Sequence, residues 1–315
     1  MVQADELQHT RCLIIAALAC DPCDDVERVR KLVVEARDAG ADIVKLTGKI
    51  SQSSSTDQGS LSVNDLKSII KTTEGVEVLI APYDLEVVRQ LSSMDFRGWK
   101  IEPELLTHLL LLKEVASNRR FLVAGLAGCT RRELQEALVR LPQDVVLLHT
   151  LLHGESDIEV IDVAHMVALR NHGRRVGYAD NGIGKNGALL AVTLGATVLE
   201  KPLTCTVSGS GSGKPKGLQP DEFRMFVESV RSLELVLASD GLRDPLPDEL
   251  DTIDQDRVSI VASQIIPRGT VIHSNMLTFK TPGIGLAPRF LPVIEGHSAL
   301  YDIPEGAFVT FGVID

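Results

Sequence analysis

A basic surface, a long apolar run and a cysteine framework are all missing from this sequence. Lys and Arg number 32 against 43 Asp and Glu, a net charge of −11, which excludes nucleic acid and anionic membrane as partners because both select positive surfaces. No apolar run approaches the roughly 20 residues that span a bilayer. The opening MVQADELQHTRC puts acids ahead of its first apolar run, the wrong order for a secretion signal. Five cysteines in no framework spacing exclude a disulfide scaffold and point to a reducing, cytoplasmic setting.

What is present is a chain of 315 residues, 44% apolar, enough for one large core and a second small one. Short, β-branched apolar runs at 12–19, 42–47, 76–82, 98–101, 121–125, 145–149, 175–179 and 197–203 alternate with stretches of helical spacing at 26–36, 84–91, 105–115, 131–139 and 187–194. Continuous apolar strands separated by helices mean a parallel sheet covered on both faces. Eight such units in about 200 residues predict an α/β fold of the (β/α)8 TIM barrel type over 1–238, with a doubly wound open sheet as the alternative. Residues 239–256 are acidic and proline-bearing and read as a linker. Beyond them, 257–315 reads as a small all-β domain of short strands without helix, 291–296 among them, in which IPRGTVI and IPEGAFV echo one another.

Three stretches resemble the N-acetylneuraminate (sialic acid) synthase family: AGADIVKLTGK at 39–49, VGYADNGIGKNGALLAVTLGATVLEKPLT at 176–204, and a tail with KTPGIGLAP and VIEGHSALYDIPEGAFV. The resemblance implies a TIM barrel followed by an antifreeze-like (SAF, β-clip) cap. It also implies a homodimer in which the cap of one chain covers the barrel of the other, and condensation of phosphoenolpyruvate with an amino sugar on a divalent metal. The residues depart from that pattern. Asn181 and Pro202 stand at the two metal-binding histidines, and proline has no ligand atom, so the family's metal site is read as lost and no cofactor is expected. Ala17, Ala81, Pro103, Leu105, Leu152, Ala179 and Thr281 replace further polar residues of the family's site.

Lys45 and Lys100 survive near the C-terminal ends of the second and fourth strands, where barrel active sites form. In the family they contact phosphoenolpyruvate. Two facing ammonium groups favour an anionic small molecule, and crowding that lowers one pKa would make a Schiff-base nucleophile. The bland reading pairs them with Glu102 and Glu104. Candidate catalytic residues are Lys45, Lys100, Glu102 and Asp180, and candidate substrate-binding residues are Lys45, Lys100, Asn181, Glu200, His149 and Asp21. His149 reads by default as a hydrogen-bonded histidine at the barrel rim, and His153 as an exposed loop residue. Cys20 and Cys23 form a lone CxxC, short of the four ligands a structural zinc needs, and read as fillers at a helix start. VSGSGSGKPKG at 207–217 lacks phosphate-loop spacing and reads as a mobile linker or lid.

Two functions follow from the sequence. One is a repurposed enzyme of specialised carbohydrate or natural-product biosynthesis, making or breaking a carbon–carbon bond in a sugar-like or α-keto acid substrate without the metal. The other is a catalytically silent pseudoenzyme that binds or pairs with a partner. A phosphoenolpyruvate-dependent nonulosonate-type synthase with an altered site is the further alternative.

Overall fold

Every apolar run read from the sequence as a barrel strand becomes one: β1 (Leu13–Leu18), β2 (Ile43–Gly48), β3 (Glu77–Pro82), β4 (Gly98–Ile101), β5 (Phe121–Gly125), β6 (Val146–Thr150), β7 (Arg175–Ala179) and β8 (Val198–Leu203). All neighbours pair in parallel, and β1 pairs with both β2 and β8, so the sheet closes into a barrel rather than staying open. The computed structural model describes residues 11–18, 26–48, 61–150, 162–182, 184–204, 217–238 and 244–315. Chain contacts divide it into two units, Met1–Ser239 and Asp240–Asp315, each with its own core.

Alternation along the strands sorts the barrel's two surfaces. Ile15, Ile43, Leu79, Val123, Val146, Leu148 and Val198 fill the lumen. The alternate residues, such as Ile14, Val44, Ile80, Trp99 and Leu147, form the larger core with the helices. Those helices are α1 (Val26–Asp38), α2 (Val63–Thr72), α3 (Leu85–Leu91), α4 (Leu109–Ser117), α5 (Arg131–Leu138), α6 (Val163–Leu169), α7 (Asn186–Thr193) and α8 (Pro220–Leu237). In α1 the buried side chains Val29, Leu32, Val33 and Ala36 recur at i, i+3, i+4 and i+7. Ser62 with Asp65 and Thr130 with Glu133 form capping boxes that start α2 and α5.

Helix α4 starts later than its apolar spacing predicts. Pro103–Leu105 form a 3-10 turn, and the His108 Nδ1 caps the helix by accepting from the Leu111 amide at 3.2 Å. Gly98 has a steric reason: a Cβ there would lie 1.9 Å from the Phe121 carbonyl oxygen, so only glycine lets β4 approach β5 this closely. At the N-terminal end Asp42 accepts from the Ile14 amide (2.8 Å) and Arg231 Nη2 (2.5 Å), while Glu234 accepts from the Cys12 amide (2.6 Å). That network ties β1, the start of β2 and α8 together where the barrel closes.

The second unit contains α9 (Pro247–Asp256), the antiparallel pair β9 (Ser259–Ala262) and β10 (Leu277–Lys280), and α10 (Leu291–Ile294). Two expectations are corrected here. The acidic stretch read as a linker carries α9, because Pro247 sits in the first turn with Asp248 and Glu249, where proline and acids favour a helix start. Residues 291–296, read as a strand from Val293 and Ile294, turn as a single helical turn with Pro292 at its start, which buries Ile294. The sequence echo is real: Ile266 and Ile303 exchange both backbone hydrogen bonds (2.9 and 2.8 Å), and each lies three residues before a glycine of positive φ, Gly269 at 78° and Gly306 at 80°. Among the described residues, no helix is long and apolar enough to cross a membrane.

Candidate functional site

Period-two alternation carries Lys45 from Ile43, Lys100 from Gly98 and Glu200 from Val198, so all three side chains enter the lumen above the aliphatic layer. Glu102 follows β4, its backbone extended ahead of the turn that begins at Pro103. The four charges close a ring of alternating sign. Lys45 Nζ donates to Glu102 Oε1 at 2.7 Å and to Glu200 Oε1 at 2.9 Å. Lys100 Nζ lies 3.1 Å from Glu102 Oε2 and 2.8 Å from Glu200 Oε1. The side chains of Lys100 and Glu200 are 2% and 5% exposed, those of Lys45 and Glu102 12% each, so the ring is deeper on one side than the other. The Glu200 Oε2 is buried and has no hydrogen-bond partner among the described residues.

At Lys45 and Glu102 the neighbouring charges outweigh burial. Burial alone would lower the Lys45 pKa, but Glu200 and Glu102 more than reverse it and hold the ammonium above its ordinary range. The depression that crowding by a second lysine would bring does not occur at Lys45, because its ammonium faces the carboxylates of Glu102 and Glu200. Burial would raise Glu102; Lys45 and Lys100 outweigh it and bring it down to about 2, a fixed carboxylate. Glu104, named with Glu102 as a pairing partner, instead accepts from the Tyr83 hydroxyl at 2.5 Å. Burial and then Glu104 push that phenol upward.

Asp180 lies elsewhere. Its Oδ2 pairs with Lys201 Nζ at 2.9 Å and its Oδ1 accepts from the Gly182 amide at 3.1 Å. Lys201 is 1% exposed and also donates to the Gly182 and Gly184 carbonyls at 2.8 and 2.7 Å, pinning the loop after β7 that carries Asn181. Burial lowers the Lys201 pKa and Asp180 opposes it. Lys201 does not stand out in the sequence. Its one signal there is a lysine inside an apolar strand, next to a glutamate that faces the opposite way.

His149 is 6% exposed, its ring centroid 5.1 Å from that of His165 and 5.9 Å from that of Tyr178. Neither ring nitrogen has a hydrogen-bond partner in good geometry among the described residues, and the ring's polar contact is a looser one to the Asp162 backbone. Burial and then His165 lower its pKa, with Asp162 opposing in part. Asp21, Cys20, Cys23, His153 and residues 205–216 lie outside the described residues.

The positions that the sequence resemblance aligns with two metal-binding histidines are Asn181 and Pro202. Pro202 is in register with Ala17 on β1, and neither offers a ligand atom. Among the described residues no three His, Cys, Asp or Glu side chains stand close enough together to hold an ion.

Comparison with known proteins agrees with the barrel and its companion unit. Residues 46–241 match the NeuB family and residues 257–312 the SAF domain. The N,N'-diacetyllegionaminic acid synthase of Campylobacter jejuni is 27% identical, over 94% of this chain and 98% of that one. Among solved structures, the spore coat polysaccharide biosynthesis protein of Bacillus subtilis aligns with a TM-score of 0.64 at 20% identity, over 98% of this chain and 96% of that one. The N-acetylneuraminic acid synthetase of Leptospira borgpetersenii aligns with a TM-score of 0.68 at 18% identity, over 78% and 91%. By the family match across most of its barrel, the chain belongs to the NeuB family.

Proposed function

We propose that the protein is an enzyme of carbohydrate biosynthesis that makes or breaks a carbon–carbon bond in a sugar-like or α-keto acid substrate, at the ring of Lys45, Glu102, Lys100 and Glu200 and without a two-histidine metal centre. The observation that carries this reading is the ring itself. Two lysine–carboxylate pairs in the lumen of a barrel are costly to desolvate, and a buried ion pair is weak evidence of a stabilising role. Their place at the C-terminal mouth is where barrel enzymes do chemistry. The names of the relatives, synthases of nonulosonic acids, support the same substrate class.

The residues divide the work by charge. Lys45 and Lys100 hold an acid group and draw electron density from an adjacent carbonyl, in a water-poor lumen where such charges act strongly. Glu102, held ionised by the two lysines and nearer the opening, accepts a hydrogen bond from a substrate hydroxyl and orients it. Lys201 and Asp180 position the loop after β7 and stand apart from the reacting groups. A homodimer belongs to the same reading and is checked by sedimentation.

One observation favours a silent barrel: each of the four charges is already paired within the ring. Turnover separates the two. Pyruvate or phosphoenolpyruvate is incubated with open-chain sugars and amino sugars, and new carbon–carbon bonds are followed by carbon NMR. The proposal expects a product that falls by about a hundredfold or more in Lys45→Met and Lys100→Met. Equal product from both variants, or none from the native protein across the substrate class, sinks it.

A further inference from the structure

Within the proposed site, the lysines are not open to an incoming anion. Glu102 already spans them, one carboxylate oxygen on each ammonium, at 2.7 and 3.1 Å. Its backbone has little freedom to retreat. Pro103 follows it, and the proline ring packs where a side chain on Gly125 would be, 2.9 Å from that position. The ring's charges cancel, two ammoniums against two carboxylates, and Glu104 at the opening adds one more negative charge.

We propose that Glu102 is a specificity-determining residue: it fills the anion position between Lys45 and Lys100, so the site accepts an acid only when that ligand also brings a hydrogen-bond donor to the carboxylate it displaces. The inference rests on the reading of the ring as the substrate site. A bare dianion brings two negative charges to a neutral ring and offers Glu102 nothing in exchange. A hydroxy acid exchanges one carboxylate for another and gives Glu102 a hydroxyl to accept from. Glu102 stays ionised throughout the neutral range, so the mismatch is not relieved by protonation. An unpaired carboxylate left in such a place costs more than the pair gains, and that difference becomes selectivity. The preferred class is therefore a polyhydroxylated or amino-bearing acid, and inorganic phosphate is the class refused.

Calorimetric titration tests this with inorganic phosphate, pyruvate and gluconate as probes, against the native protein, Glu102→Gln and Glu102→Asp, with circular dichroism confirming the fold. Glu104→Gln removes the same charge outside the ring and serves as the control. The native protein should bind gluconate at least about tenfold more tightly than phosphate. Glu102→Gln should gain at least about tenfold for phosphate and lose most of the preference, while Glu102→Asp and Glu104→Gln keep it. Phosphate binding equally to the native protein and Glu102→Gln overturns the inference, whatever the turnover experiment says of the site. Binding of no probe to folded Glu102→Gln overturns it as well, because a freed lysine pair must then take an anion. Gains in Glu102→Gln that survive the further change Lys100→Met place the probes away from the ring and sink both readings.

Discussion

Lys100 and Glu200 lie 100 positions apart in the chain and meet at 2.8 Å inside the barrel, each almost wholly buried. Removing Lys100 leaves two buried carboxylates, Glu200 and Glu102, sharing the one ammonium of Lys45, so Lys100→Met should cost roughly 3–5 kcal/mol in urea unfolding. Glu200→Gln in the same protein should recover part of that loss, because the excess carboxylate goes with it. Strict additivity of the two changes would show that the pair does not couple.

Acid should weaken the fold through Glu102. Its folded pKa, near 2, lies below the 4.5 of the free group, so its contribution is present above about pH 5 and is lost as pH falls towards 2. The shift is worth on the order of 3 kcal/mol at neutral pH. Glu102→Gln should flatten stability between pH 5 and 2 by about that amount. An unchanged acid profile in the variant would show the carboxylate is not held by the lysines.

His149 should behave in the opposite way to a bonded histidine. Its pKa is lowered by burial, so its share of stability is full above the ordinary histidine range and declines as pH falls and the ring must charge. Because the ring makes only a loose contact with the Asp162 backbone among the described residues, His149→Phe should cost less than about 1 kcal/mol or stabilise the protein, and should lessen that decline below about pH 6. A loss of several kcal/mol on chemical denaturation would mean the ring makes bonds that its surroundings do not show.

Backbone approach governs Gly98. An alanine methyl there would sit 1.9 Å from the Phe121 carbonyl oxygen, so Gly98→Ala forces β4 away from β5 and should cost about 3 kcal/mol or more, or prevent folding. Soluble expression and thermal melting give the answer.

The paired isoleucines of the second unit should be interdependent. Ile266→Ala and Ile303→Ala should each cost about 2–5 kcal/mol, and the double variant less than the sum, because both empty one small core. Simple summation would show that the echo reflects sequence likeness without shared packing.

The barrel was legible because strand and helix periods leave their marks locally: every strand run lies within a residue or two of its observed bounds, and 26–36 and 131–139 nearly coincide with α1 and α5. The small helices were not. In α9, acidic composition hid a proline-led start, and in α10 one turn is too short for any period to show. The site was half legible. Strand ends located Lys45, Lys100 and Glu200, but the pairing of Lys45 with Glu200 spans 155 positions and leaves no local trace. Asp180 looked like a free acid at a strand end because its partner Lys201, on the neighbouring strand, faces the helices rather than the lumen.

The central claim, that the lysine–carboxylate ring is where substrate binds, meets its most direct measurement in a thermal-shift screen of sugar acids and α-keto acids on the native protein and on Lys45→Met/Lys100→Met. A ligand that raises the melting temperature of the native protein, and leaves a cooperatively melting variant unmoved, is the predicted result. The same rise in both proteins would place binding elsewhere and contradict the account.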